Sequence, residues 1–323
     1  MSIVERALKK LQSTGQRETA DTRPPDRALA AGRVVARQRA ADPDASPARR
    51  PAPIEHSGRT VAIDHEMLRQ IGLLAPENQQ RELDHQYRTL KRPLIKHAFR
   101  AEGKSAPGGA SPRSIMVTSA LPGEGKTFTT INLALSLSLE RDHGVLLVDG
   151  DVAKPHVSHI FGLADEPGLL DVLTDANRPI ESVVLPTDVA GLRVLPVGRR
   201  SDAATELLAS ARMRQVIARL EDLDPHGLVV VDSPPILLTS EARVLASLFG
   251  QVVLVVRAGG TPQQAVQEAI GIIGEGPRLG LVLNQAIHDG RGGSYYGSGY
   301  GYGYGYDDKA AVDGAPGGES GAT

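Results

Sequence analysis

The 323-residue chain contains no cysteine and no tryptophan, so neither disulfide bonds nor thiolate metal sites are available to it. No apolar run approaches the length of about eighteen residues that a membrane-spanning helix needs. The N-terminus also lacks the apolar core of a secretory signal peptide. The net charge of −2 gives no polyelectrolyte signal for a nucleic-acid partner. These absences predict a soluble cytoplasmic protein that works at a membrane only if a partner recruits it there.

Aromatic residues are scarce, and the tyrosines are unevenly placed. Only Tyr87 lies outside a short stretch near the C-terminus in which tyrosine and glycine alternate. A packed core would distribute its aromatic side chains along the chain, so this stretch is either an idle low-complexity tail or a functional segment. The clustered tyrosines are Tyr295, Tyr296, Tyr300, Tyr302, Tyr304 and Tyr306.

The regions that flank the centre of the chain have little capacity to form a core. Residues 1–12 have the apolar spacing of a short amphipathic helix, which is either a docking helix or a frayed terminus. Residues 13–60 are rich in Ala, Arg, Pro, Asp and Ser and are predicted to be a disordered linker. Residues 61–112 are predicted to be a helical extension, in which Pro93 is expected to kink or restart a helix. Residues 291–323 are predicted to be a flexible tail.

Residues 113–290 have the pattern of a layered α/β domain. Six short runs rich in Val, Ile and Leu, from "SIMVTSA" to "LGLVLNQA", alternate with helical stretches. Strands that are apolar on both faces indicate a mostly parallel sheet with helices packed on each side. The sequence therefore predicts an α/β domain, and the segment "ALPGEGKT", which ends at Thr127, makes it one of the P-loop NTPase type.

The segment "ALPGEGKT", which ends at Thr127, follows a predicted strand and precedes a predicted helix. Gly123 and Gly125 allow backbone N–H groups to approach a phosphate closely. Lys126 is then placed to reach the β- and γ-phosphates of ATP, and the Thr127 hydroxyl is placed to bind Mg²⁺. Ala120 stands where the standard pattern has its first glycine. The predicted ATP-binding residues of this loop are Pro122, Gly123, Glu124, Gly125, Lys126, Thr127 and Phe128.

Acidic residues end two further predicted strands. "VLLVDGD" places Asp149 and Asp151 at the end of one strand, and "LVVVDSPP" places Asp232 at the end of another. Ligands of open α/β sheets bind at these carboxyl ends. A carboxylate there can hold Mg²⁺ or accept a proton from an attacking hydroxyl. One such aspartate would be structural as often as functional, but three beside a phosphate loop indicate a catalytic site.

The three segments "ALPGEGKT", "VLLVDGDVAKP" and "LVVVDSPP", together with the tyrosine-rich tail, resemble the bacterial tyrosine kinases. The resemblance covers about Val61 to Tyr306 and is nearest to the autokinases of exosortase-type exopolysaccharide loci. It implies Mg²⁺-ATP as phosphoryl donor, autophosphorylation of the tyrosine cluster in trans between copies, and control of capsule or exopolysaccharide export. It also implies an inner-membrane chain-length regulator that recruits and activates the kinase, and a cognate tyrosine phosphatase.

The resemblance also implies roles for individual residues. Asp149 is implied to be the base for the tyrosine hydroxyl, and Asn284 matches a position that contacts adenine in related folds. The other implied catalytic or metal-supporting residues are Lys126, Thr127, Asp151 and Asp232.

Two departures from the family pattern stand out. The family's second motif usually has an arginine two residues after its second aspartate, but Ala153 is found here and Lys154 follows it. At the family's ring-assembly motif, Glu-x-x-Arg-x-x-Arg, the matching positions are His85, Arg88 and Lys91. The glutamate of the motif is missing and Asp84 could partly compensate for it, so the sequence leaves a closed ring open.

Two other functions stay open on the sequence. Partition or septum-positioning ATPases share the fold class, but they carry an extra lysine five positions before the P-loop lysine, where this chain has Leu121. A non-catalytic ATP-binding scaffold is the second alternative. The presence of the intact residues Lys126, Thr127, Asp149 and Asp232 favours catalysis over a scaffold.

Overall fold

The computed structural model describes residues 59–100 and 110–286. The predicted N-terminal helix, nearly all of the predicted linker and the tyrosine cluster lie outside these residues. Those assignments, and the domain boundaries built on them, stay predictions.

Seven β-strands within the described residues form one sheet: β1 (Ser114–Ser119), β2 (Val145–Asp149), β3 (Leu185–Pro186), β4 (Leu192–Leu195), β5 (Leu228–Asp232), β6 (Gln251–Arg257) and β7 (Arg278–Asn284). Their order across the sheet is β3-β4-β2-β5-β1-β6-β7. Neighbouring strands are parallel, except that β3 is antiparallel to β4. The mostly parallel sheet predicted from the sequence is confirmed.

Helices fill the connections of the described chain: α1 (His65–Gln70), α2 (Glu77–Arg100), α3 (Lys126–Ser138), α4 (His156–Ile160), α5 (Leu169–Thr174), α6 (Ala204–Leu208), α7 (Ala211–Asp222), α8 (Ser240–Ala246) and α9 (Gln263–Ile273). A single 3₁₀ turn, Ile180–Ser182, precedes β3. None of the helices within residues 59–100 and 110–286 has the length and apolar character needed to cross a bilayer.

Side chains of the central strands alternate between two apolar clusters, one on each face of the sheet. On one face, Met116, Val148 and Val231 pack with residues of α7, α8 and α9. On the other face, Ile115 and Leu147 pack with residues of α2 and α3. Every residue of β1, β2 and β5 is buried, because helices cover both faces of these strands.

All six apolar runs identified in the sequence form strands, but β3 was not predicted. It has only two residues, one of which is Pro186, and proline joins a sheet only where its missing N–H is not needed. Its position at the edge satisfies that condition.

Helix α2 continues through Pro93, so the predicted restart at this residue is wrong. Pro93 is exposed and lies within the helix, although its ring nitrogen has no hydrogen to donate to the preceding turn.

The structure also shows how exposed the three ring-motif positions on α2 are. His85 and Arg88 are exposed, whereas Lys91 is buried with 4% of its surface accessible. The Lys91 ammonium donates to the Ser136 carbonyl oxygen at 2.5 Å and pairs with Glu140 at 2.7 Å. The third position therefore joins α2 to α3 within the chain and does not face outward.

Candidate active site

The loop that joins β1 to α3 has the backbone geometry of a phosphate-binding loop. Gly123 and Gly125 have φ angles of +77° and +89°, which favour glycine. A side chain at Gly125 would also overlap the Nδ2 atom of Asn284. Helix α3 begins directly after Gly125, so its first-turn N–H groups lack helical partners and are available to an anion.

Neighbouring elements hold this loop in place. The Glu124 carboxylate is buried and accepts hydrogen bonds from the Leu121 N–H, at 2.7 Å, and from the Thr261 hydroxyl. Asn284, at the end of β7, donates its amide to the Glu124 carbonyl oxygen at 2.9 Å. The Glu124 side chain therefore braces the loop, and its backbone N–H is the group that remains for a phosphate. Pro122 is exposed at the loop tip and Phe128 is half-buried on α3.

Lys126 and Thr127 meet the predicted carboxylates at the ends of β2 and β5. The Lys126 ammonium lies 2.7 Å from Asp151 and 3.9 Å from Asp232. The Thr127 hydroxyl donates to Asp232 at 2.7 Å. The other oxygen of Asp232 accepts from Thr130 at 3.0 Å, a contact that was not anticipated from the sequence. The structure therefore brings these predicted residues into one buried cluster.

Asp149 is fully buried and lies opposite Asp232 in the register of β2 and β5. Its carboxylate accepts two hydrogen bonds of 2.7 Å from Ser158, one from the backbone N–H and one from the hydroxyl. The Ser158 hydroxyl oxygen in turn accepts from the Val197 N–H at 3.0 Å. Sequence reasoning missed Ser158, because no motif links a serine of the short helix α4 to the aspartate of the preceding strand.

Electrostatics set the protonation states in this cluster. Burial raises the pKa of Asp149 from its usual value of 3.8 to about 7, and the Asp232 carboxylate adds to the rise, while the Ser158 hydrogen bonds oppose it. Burial also raises the pKa of Asp232 despite the nearby Lys126 ammonium. Burial opposes the charge on Lys126, but the Asp232 and Asp151 carboxylates outweigh it and raise its pKa.

The donors present at this site fit a divalent metal bound together with a nucleotide. The Thr127 hydroxyl and the carboxylates of Asp151 and Asp232 are hard oxygen ligands. Within residues 59–100 and 110–286, no three His, Asp or Glu side chains form a ready-made metal site.

Curated relatives of this chain include several tyrosine-protein kinases. The chain is 33% identical over 174 residues to the tyrosine-protein kinase YwqD of Bacillus subtilis, covering 53% of this chain and 72% of YwqD. It is 30% identical over 185 residues to the tyrosine-protein kinase Wzc of Salmonella typhimurium, covering 57% of this chain and 25% of Wzc. A comparison with protein-family models gives no match.

Solved structures agree with this result. The kinase domain of the Escherichia coli tyrosine kinase ETK superposes with a TM-score of 0.58 at 28% identity, covering 75% of this chain and 87% of that domain. The kinase domain of VpsO superposes with a TM-score of 0.53 at 27% identity, covering 65% of this chain and all of that domain. With the phosphate loop and the three strand-end aspartates in one cluster, these matches establish that the chain belongs to the bacterial tyrosine-protein kinases.

Proposed function

We propose that this kinase transfers the γ-phosphoryl group of Mg²⁺-ATP to its own C-terminal tyrosine cluster, one copy acting on the tail of another. The observation that carries the proposal is the Asp149 carboxylate, which is buried, fixed by Ser158 and has its pKa raised to about 7 beside the Lys126–Asp151 pair. A proton acceptor with a pKa near the working pH, next to a phosphate loop, is suited to removing the proton of a tyrosine hydroxyl.

Each predicted site residue has a role in the proposed mechanism. The backbone of residues 122–128 binds the phosphates, and Asn284 borders the loop on the side proposed for adenine. Lys126 leaves its pairing with Asp151 to bind the β- and γ-phosphates. Thr127, Asp151 and Asp232 would hold the metal. Mg²⁺, when bound, offsets the negative charge of the phosphates.

The position of β7 supports the tail as substrate. Asn284, which ends β7, lies against the phosphate loop through its 2.9 Å hydrogen bond to the Glu124 carbonyl oxygen. Tyr295 follows eleven positions later in the sequence, a span of at most about 37 Å. A tail of that reach can enter the site of a second copy that lies within it, and glycine at alternate positions permits many backbone conformations that could present a tyrosine.

The regulatory context is proposed from the family. Autophosphorylation would control exopolysaccharide or capsule synthesis and export through an inner-membrane chain-length regulator, which recruits the kinase to the inner face of the membrane. A cognate tyrosine phosphatase would reverse the modification. No nucleic acid is proposed as a partner.

Mixing two full-length variants tests the transfer between copies. Lys126→Met removes the phosphate-binding ammonium, and a second chain carries phenylalanine at the six clustered tyrosines but keeps an intact site. We expect phosphotyrosine on the Lys126→Met tail only after mixing with the second chain and ATP, measured by mass spectrometry. Lys96→Met, at an exposed lysine of α2, is the matched control and should phosphorylate itself normally.

Other results separate the competing functions. Phosphorylation by the unaltered chain with no transfer in the mixture would exclude transfer between copies. An unmodified tail on the unaltered chain, with ATP hydrolysis intact, would contradict autophosphorylation and favour an ATPase.

A further inference from the structure

A cleft of about 480 Å³ opens beside the Asp149–Ser158 pair, and the proposed reaction leaves it unused. His159, from α4, and Val197, which follows β4, are among the residues that line it. Val197 donates its N–H to Ser158 at 3.0 Å, and Ser158 donates to Asp149 at 2.7 Å. One wall of the cleft is therefore two hydrogen bonds from the proposed base.

The charged side chains that line this cleft have a net positive charge, and most of its other lining residues are apolar. Arg199 and Arg200 follow Val197 in the chain and are exposed, and Asp165 is the sole acidic residue among the described residues that line the cleft. The Arg199 side chain is 77% exposed and has a single described ion pair, a 3.9 Å contact with Asp171. The cleft therefore presents two guanidinium groups to solvent beside the catalytic edge of the sheet.

The backbone that carries these arginines is fixed by Asp171. The same oxygen of this carboxylate accepts from the Gly168 N–H at 2.9 Å and from the Arg199 N–H at 3.0 Å. Gly198, between Val197 and Arg199, has a φ angle of +86° and packs against Gly168. Because these contacts hold the loop backbone, the positions from which the two guanidinium groups extend are defined before any ligand binds.

The tail contains a matching acidic pair. Asp307 and Asp308 follow Tyr306 directly and end the alternation of tyrosine and glycine. Transfer of a phosphoryl group to tyrosine does not require these carboxylates, and an idle tail would not require them beside its last tyrosine. Carboxylates are suited to bidentate hydrogen bonding with arginine.

We propose that Arg199 and Arg200 bind the carboxylates of Asp307 and Asp308 and thereby present Tyr306 as the first tyrosine to be phosphorylated. The inference rests on the proposed autophosphorylation and specifies its order. Arg199 lies two residues beyond Val197, a span of about 7 Å, and Asp307 adjoins Tyr306. An acidic pair held in the cleft would therefore keep the preceding tyrosine at the end of the sheet where Val197 contacts Ser158, the residue that binds Asp149.

The chemical step at Tyr306 is the one proposed for the cluster as a whole. The Tyr306 hydroxyl oxygen forms a bond to the γ-phosphorus of ATP, while the bond from that phosphorus to the β–γ bridging oxygen breaks and ADP leaves. The phenolic proton passes to the Asp149 carboxylate. Binding of Asp307 and Asp308 changes which tyrosine reacts first and takes no part in bond making.

Charge reversal in the full-length protein tests the assignment. In a time course with ATP, site-resolved mass spectrometry of the unaltered chain should detect phosphate on Tyr306 before Tyr300. In the Arg199→Glu/Arg200→Glu variant we expect the initial rate at Tyr306, relative to Tyr300, to fall about five-fold, as for the loss of two partly exposed ion pairs. Arg141→Glu is the matched control. Arg141 is exposed and precedes β2, so it lies near the amino ends of the parallel strands, away from the carboxyl ends where the candidate site lies. This substitution should leave the ratio unchanged.

A second variant separates loss of docking from loss of folding. Adding Asp307→Arg and Asp308→Arg to the reversed cleft should restore the preference for Tyr306, and raising the salt concentration should weaken the preference in the unaltered chain. The proposed binding of the acidic pair by the two arginines would be wrong if charge reversal left the ratio of the rates at Tyr306 and Tyr300 unchanged. It would also be wrong if the compensating variant did not restore that ratio. Neither result would contradict autophosphorylation itself. A tail that the unaltered chain never modifies would overturn both proposals.

Discussion

Three buried carboxylates lie near the ammonium group of Lys126, those of Asp149, Asp151 and Asp232. Buried carboxylates prefer to be neutral, and burial accordingly raises the pKa of Asp149 and of Asp232. A fold selected for stability alone would not collect acids in this way. The cluster is consistent with the need to hold a metal and to accept a proton, both of which require ionised oxygen atoms.

Ser158→Ala tests the positioning of the proposed base. The substitution removes one hydrogen bond that favours the charged form of Asp149, so the pKa of Asp149 should rise above about 7. Because the base acts when deprotonated, the acidic limb of the rate profile should move to higher pH. Autophosphorylation measured between pH 6 and 9 should fall about ten-fold at the acidic end and less at the alkaline end.

Ser247→Ala, at an exposed serine that follows α8, provides the control and should leave the profile unchanged. An equal loss of rate at every pH in Ser158→Ala would contradict the proposed effect on Asp149. It would instead indicate a general structural role, because the same hydroxyl also accepts from the Val197 N–H.

At the scale of the secondary-structure element, α1 and α2 are bound closely to the P-loop helix α3. Tyr87 and Leu94 of α2 belong to the same apolar cluster as Ile131 of α3. Polar contacts reinforce the packing, since Asn132 donates to the Leu73 carbonyl oxygen at 2.7 Å. The segment that precedes β1 therefore supports the helix that carries Lys126 and Thr127.

Lys91→Met tests this contact between elements. Methionine approximates the volume of the buried lysine stem but leaves the Ser136 carbonyl oxygen without its 2.5 Å hydrogen bond and Glu140 without its partner. We expect the free energy of unfolding to fall by about 1–3 kcal/mol, measured by urea denaturation. Lys96→Met, on an exposed position of the same helix, should change stability by less than about 0.5 kcal/mol. Equal effects at the two positions would contradict the assigned role of Lys91.

At the scale of the whole molecule, phosphorylation would alter the charge of the chain more than any single side chain could. The unmodified chain has a net charge of −2. Each phosphotyrosine adds about −1.5 to −2, so six would add on the order of −10 to one short segment. Repulsion from the carboxylates of the proposed catalytic cluster should then release a phosphorylated tail from the site that modified it.

Light scattering tests this consequence for assembly. If copies are held together by tails docked in neighbouring sites, the fully phosphorylated protein should have a lower mass than the same protein after phosphatase treatment. The difference should diminish at high salt, because screening weakens the repulsion. An unchanged mass after phosphatase treatment would exclude tail docking as the force that holds an assembly together.

The sequence alone determined the mostly parallel α/β fold, the phosphate loop and the grouping of Asp149, Asp151 and Asp232. The physical reason is that each depends on a local pattern. Apolar runs of strand length predict a sheet buried on both faces, and residues that end parallel strands share one edge. The order of the motifs also sufficed to identify the kinase family.

Only the tertiary structure decided which residues support that site and where the ring-motif positions lie. Ser158 holds Asp149, and Glu124 turns inward to brace its own loop, through contacts between elements that no local spacing encodes. Lys91, at a ring-motif position, is buried against α3 instead of facing a neighbour. Contacts between residues far apart in the sequence depend on how the helices pack on the sheet. The sequence pattern of one segment does not specify which other segment will pack against it.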